Sequence, residues 1–64
     1  MKPGDLVRLN WEGLNSRHPL YNRLLLVVEK HEYPYGYTHV SVLDVEHGET
    51  YSYQPHDFEV VNAQ

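Results

Sequence analysis

Apolar and polar residues alternate along most of this chain. Val7 and Leu9 fall on one side of a period-two pattern, Leu6 and Arg8 on the other. That is the signature of a strand with one buried face. Pro3-Gly4 supplies the turn before it, at a place where a missing N–H costs nothing. Residues 23–32 predict a second strand. Leu24, Leu26 and Val28 share one of its faces, read here as the core face, and Leu25 and Val27 share the other. That second pair then needs a cover, either the preceding loop or a second subunit. Tyr33-Pro34-Tyr35-Gly36 has Pro at the second and Gly at the fourth position of a type I turn. A third strand follows over 37–45, with Val40 and Val42 inward. His47-Gly48 reads as a tight hairpin turn, because glycine accepts the positive φ such turns need. A fourth strand covers 49–54. Pro55-His56-Asp57 makes one 3₁₀ turn, and a fifth strand covers 58–61. No helix is predicted, and the β-branched residues of 37–45 argue against one there.

Residues 10–22 break the alternation. Gly, Asn, Ser and Pro in one stretch mark a long loop. Long ordered loops in small domains are disproportionately functional. Trp11, Leu14, Leu20 and Tyr21 are its means of attachment. The chain has 64 residues, room for a single domain spanning 1–64. The expected architecture is all-β: five strands closed into a barrel, with a long first loop and a short 3₁₀ turn before the last strand. Its interior is expected to be lined by Val7, Leu9, Leu26, Val28, Val40, Val42, Phe58 and Val60.

The run Gly4-Asp5-Leu6-Val7-Arg8-Leu9 resembles the opening strand of SH3-like and KOW/Tudor-like barrels. The whole layout also resembles small uncharacterised barrel proteins encoded by tailed phages. The matching positions are Lys2, 4–7, 26–29, 40–44, Gly48 and 55–61. The resemblance implies a five-stranded SH3-like barrel, mostly a binding architecture, and a phage-type protein in the host cytoplasm. Eukaryotic SH3 domains that bind proline-rich peptides carry an Ala-Leu-Tyr-Asp-Tyr segment, which this chain lacks. Residues 3–8 followed by 17–23 faintly resemble the barrel domain of nitrile hydratase β subunits, a likeness of fold and not of function.

Composition narrows the function classes. There is no cysteine and hence no disulfide. The longest apolar run, Leu24-Leu25-Leu26-Val27-Val28, is far short of the ~20 residues a membrane helix needs. The N-terminus has no apolar signal-peptide core, so the expectation is a soluble, cytoplasmic protein. The charge of −4, from nine acids and five Lys/Arg, disfavours general affinity for phosphate backbones. Five histidines are present, but His18, His31, His39, His47 and His56 stand at least eight apart, without the close ligand pairs of zinc sites. No metal or other cofactor is expected. Ser16, Ser41 and Ser52 lack a nucleophile-elbow context, no Gly-rich phosphate loop exists, and a small barrel fills its own interior. The chain reads as non-catalytic.

What stands out is aromatic. Tyr33, Tyr35 and Tyr37 flank one turn, and Tyr21, Tyr51, Tyr53 and Trp11 are within reach in a fold this small. Tyrosine combines large apolar area with a polar tip and is enriched at interfaces. The expected binding surface is therefore Trp11, Arg17, Tyr21, Tyr33, Tyr35 and Tyr37, and the expected function is an interaction module with a protein partner. Two alternatives remain open. One is a nucleic-acid-binding barrel of KOW/Tudor type, if Arg8, Arg17, Arg23 and Lys30 gather beside Tyr33 and Tyr35. The other is a structural homo-oligomer or virion component.

Overall fold

The computed structural model describes residues 1–63. Its strands are β1 (Leu6–Leu9), β2 (Leu25–Glu32), β3 (Thr38–Asp44), β4 (Glu49–Tyr53) and β5 (Phe58–Asn62), with a 3₁₀ turn at Pro55–Asp57. They form one five-stranded sheet in the order β4-β3-β2-β1-β5, and every neighbouring pair is antiparallel. All five predicted strands are present, with small shifts at their ends.

The sheet is not closed by hydrogen bonds. Among the described residues β4 and β5 stay its two edges, which corrects the expected closed barrel. The connection between them satisfies its own polar groups. The Asp57 N–H donates to the Gln54 carbonyl at 3.0 Å, the Gln54 N–H donates to Asp57 Oδ2 at 3.0 Å, and the Phe58 N–H turns back to the Pro55 carbonyl. What brings the edges together is side-chain contact. Tyr53 at the end of β4 meets Phe58 at the start of β5 edge-on, with ring centroids 5.9 Å apart.

The core consists of Val7, Leu9, Leu20, Leu25, Val27, Val40, Val42 and Phe58. Val7, Leu9, Val40, Val42 and Phe58 were expected. In β2 the phase is reversed. Leu25 and Val27 are the buried pair, while Val28 is 42% exposed and Leu26 half-buried. The pairing explains the reversal, because residues directly opposite in an antiparallel ladder share a face. Leu25 lies opposite Val7 and Val27 opposite Val42, so both follow those valines into the core. Val60 lies opposite Val7 but on an edge strand with nothing beyond it, and it stays 46% exposed.

A bulge then interrupts β2. The register with β3 slips between Val27 and Glu29, with Val28 as the extra residue. Beyond it Lys30 pairs with Val40 and His31 with His39. The inserted residue turns Glu29 and His31 to the face away from the core.

The β3–β4 hairpin has four loop residues, 45–48, not the tight turn expected at His47-Gly48. Asp44 holds it. Its carbonyl accepts from the N–H groups of His47 (3.2 Å) and Gly48 (2.7 Å). Its carboxylate accepts from the Glu46 N–H at 3.2 Å and lies 3.1 Å from His47 Nδ1. Gly48 supplies the positive φ, +71°, that returns the chain to β4.

Replacing Leu25 by alanine should cost ~2–5 kcal/mol. Val60→Ala should stay within ~0.5 kcal/mol. Urea unfolding followed by circular dichroism checks both; equal costs would contradict this assignment of the core.

Candidate interaction surface

The first loop is built from successive turns. Glu12-Gly13 form the centre of a turn closed by the Leu14 N–H donating to the Trp11 carbonyl at 3.2 Å. Gly13 has the φ of +80° that the third position of a type II turn demands. Asn15 then takes the Arg17 N–H on its side-chain Oδ1 at 2.9 Å, an Asx turn. His18 accepts the Leu20 N–H on Nδ1 at 3.0 Å, which places the proton of the neutral ring on Nε2. Leu20 anchors the whole segment in the core with no exposed surface. The loop's start is pinned as well, because the Asn10 N–H donates to the Asp57 carbonyl at 2.7 Å.

That pinning positions Trp11. Its ring stands edge-on to His18 at 5.1 Å and to Tyr53 at 5.2 Å, yet 37% of the residue is exposed. Trp11, Arg17, His18 and Pro19 help line a cleft of about 320 Å³. A second cleft of about 290 Å³ lies between Gly36, Tyr37 and Thr38 on one side and Gln54, Pro55 and His56 on the other. Tyr53 touches Trp11 of the first cleft and precedes Gln54 of the second in the chain.

Of the other expected residues, Tyr37 alone lines one of these clefts. Tyr33 and Tyr37 lie on the face away from the core and form a ring cluster with His31 and His39. The centroid distances are 4.8 Å for His31–His39, 5.5 Å for Tyr33–His39, 5.7 Å for Tyr33–Tyr37 and 6.2 Å for Tyr37–His39. Glu29 Oε2 is 3.1 Å from His31 Nε2. Tyr35 caps the turn and is 95% exposed. Tyr21 is at another place again, lining an open cleft with Leu24, Val45 and the ion pair of Arg23 with Glu46.

The structure thus brings Trp11 and Arg17 together, and Tyr33 with Tyr37, but it does not bring all six residues to one site. His18, Tyr53 and the His31–His39 pair are the members that sequence reasoning missed. The pair could have been found. The turn makes Tyr33 and Tyr37 partners, the Tyr33 N–H donating to the Tyr37 carbonyl at 2.8 Å. Counting two residues outward on each side reaches His31 and His39.

Charge is dispersed over the surface. Arg23 is paired with Glu46, and Lys30 Nζ lies 3.5 Å from Glu32. Exposed pairs of this kind contribute ~0–1 kcal/mol. Among the described residues no group of three or more His, Asp or Glu side chains is placed to hold a metal ion. Among the described residues no helix is long and apolar enough to cross a membrane.

One phenol is perturbed. Tyr51 donates to Glu49 Oε2 at 2.6 Å. That hydrogen bond, then desolvation, then the charges of Glu49 and Asp44 raise its pKa above 10.0. Ionising the phenol forfeits the bond and sets two negative charges side by side. Glu49→Gln should bring the Tyr51 titration down toward that ordinary value, read as phenolate absorbance against pH; an unchanged curve would show that Glu49 is not the cause.

Comparison of the chain with protein-family models, with curated proteins and with solved structures finds no match.

Proposed function

We propose that the chain is a non-catalytic interaction module of SH3-like type, and that it docks an extended segment of a protein partner. The segment lies along the surface from the Trp11 cleft past Tyr53 and Pro55 to Tyr37. The strand order β4-β3-β2-β1-β5, with a 3₁₀ turn leading into the last strand, supports the SH3-like reading. The observation that carries the binding site is Trp11. A large ring held edge-on by two neighbours, beside a cleft and still part-exposed, is a rigid anchor of the kind that dominates interface energies. Its support is already ordered, so docking spends little entropy on fixing the loop.

Tyr37 is the far anchor of the same segment. Arg17 on the rim of the first cleft offers a cation to an acidic residue of the partner, and His18 and His56 offer hydrogen bonds. Tyr33, Tyr35 and Tyr21 are second-rank contacts in this reading, because they lie beyond the two clefts. A protein partner fits better than a phosphate backbone. Arg23 and Lys30 each stand against a carboxylate, and the charged neighbour of the Tyr33–Tyr37 cluster is Glu29. The absence of cysteine suits a reducing compartment, and we place the module in the cytoplasm, as the likeness to phage-encoded barrels implies.

Trp11 is the only tryptophan, so its emission reports directly on the site. Peptides selected from a random displayed library against the wild-type domain should shift that emission in titration. Trp11→Ala should weaken binding of the same peptides by ~2 kcal/mol or more, about 30-fold, measured by calorimetry. Tyr37→Ala should weaken it less, and both variants should keep the wild-type circular dichroism. Selected peptides that bind both folded variants as tightly as the wild type would place the binding surface elsewhere.

A further inference from the structure

The face of the sheet turned away from the core carries an unbroken apolar row. Leu6 lies opposite Leu26, and Leu26 opposite Leu43. The row is continued by Thr50 on β4 and Asn62 on β5. No charged residue stands in it. All three leucines are half-buried by their neighbours. Leu24, two residues before Leu26 on the same face, is 48% exposed, and Val61 at the other side is 47% exposed.

Arg8 also belongs to this face, two residues on from Leu6. Its Nε is buried without a hydrogen-bond partner. Glu59 stands directly across from it on β5, yet the two form no ion pair among the described residues. Glu29, paired with Ser41, occupies the same face on the opposite side of the leucine row.

We infer that this face is where a second copy of the chain docks, sheet against sheet, about a twofold axis that runs along the Leu6–Leu26–Leu43 row. Such an axis sets each row onto its own copy, Leu26 against Leu26, with Leu6 and Leu43 on either side. It also exchanges the two flanks. Arg8 of one protomer comes to the flank where its partner carries Glu29. The offset between β1 and β2 is one strand spacing, ~4.8 Å, within the reach of an arginine side chain. Two symmetric Arg8–Glu29 contacts result, in which the Arg8 guanidinium meets a carboxylate that already faces His31. The alternative arrangement, two copies slid along the strands, loses both the leucine stacking and the charge match. Two sheets packed in this way sit ~10 Å apart, and association is one of the means by which domains this small gain stability. The contact uses the opposite face from Trp11; Tyr37, the far anchor of the proposed segment, shares the leucine face but stands at its hairpin end, beyond His39.

Sedimentation velocity of the purified chain, from micromolar to millimolar concentration, tests the inference. The wild type should pass from monomer to dimer. Arg8→Glu and Glu29→Arg should each raise the dissociation constant at least tenfold, and the double variant should recover most of the loss. Leu24→Glu lies outside any strand and leaves the core untouched, so it keeps the test open if an Arg8 variant fails to fold. It too should raise the dissociation constant tenfold. A monomer at millimolar concentration would overturn the inference. So would a dimer indifferent to Leu24→Glu, or a double charge variant no better than either single one. In every case the Trp11 emission should be unchanged, which separates this contact from the proposed binding site.

Discussion

The ladder between β2 and its two neighbours decides what every other part of the molecule can do. β2 is the middle strand of the sheet, so its phase sets which residues face inward on both sides. Leu25 and Val27 are fixed inward by Val7 and Val42. A one-residue slip would move that whole set to solvent. The opposite phase would leave two fully buried residues exposed and send Leu26 and Val28 into the core. The valines of β1 and β3 alternate cleanly, so only one phase matches all three strands.

The bulge at Val28 gives this strand a second character. Before it, β2 supplies core. After it, simple alternation would have turned Glu29 and His31 inward, onto Val40. The extra residue instead puts Lys30 opposite Val40, where a long aliphatic stem can cover apolar surface while its ammonium reaches outward to Glu32. Glu29, His31 and Tyr33 are thereby left together on the outer face. A single inserted residue ends the core and creates the ring cluster, which is the kind of re-aiming for which bulges are retained.

Most of the strand layout was legible in the sequence because alternation, Pro and Gly all agree. Tyr33-Pro34-Tyr35-Gly36 forms its turn, the Gly36 N–H donating to the Tyr33 carbonyl at 3.1 Å, and residues 55–57 form their 3₁₀ turn. The phase of β2 was not legible. Leu24 to Val28 are all apolar, and a run without alternation carries no information about which face is buried. Closure failed to follow for a related reason: strand count says nothing about whether the edges meet. The candidate site was legible in part. Tyr33 and Tyr37 flank the turn as partners, so they share a face. Tyr21 and Trp11 belong to one loop, but the turns between them lead the chain to different ends of the sheet, and spacing does not reveal that path.

The loop over residues 10–24 shows how core and surface depend on each other in so small a domain. Leu20 takes a full place in the core, though it belongs to no strand. Burying it contributes ~1.5–3 kcal/mol, and this is what holds a long loop in one conformation against its conformational entropy. The Asn10–Asp57 hydrogen bond fixes the other end. Between these two points Trp11 has little freedom left, and Tyr53, which supports it, also seals the gap between β4 and β5 through Phe58. The residue that brings the sheet's edges together is therefore also the one that holds Trp11 in place. The surface proposed for binding cannot loosen without opening the core behind it, and it is rigid because the fold has no spare parts.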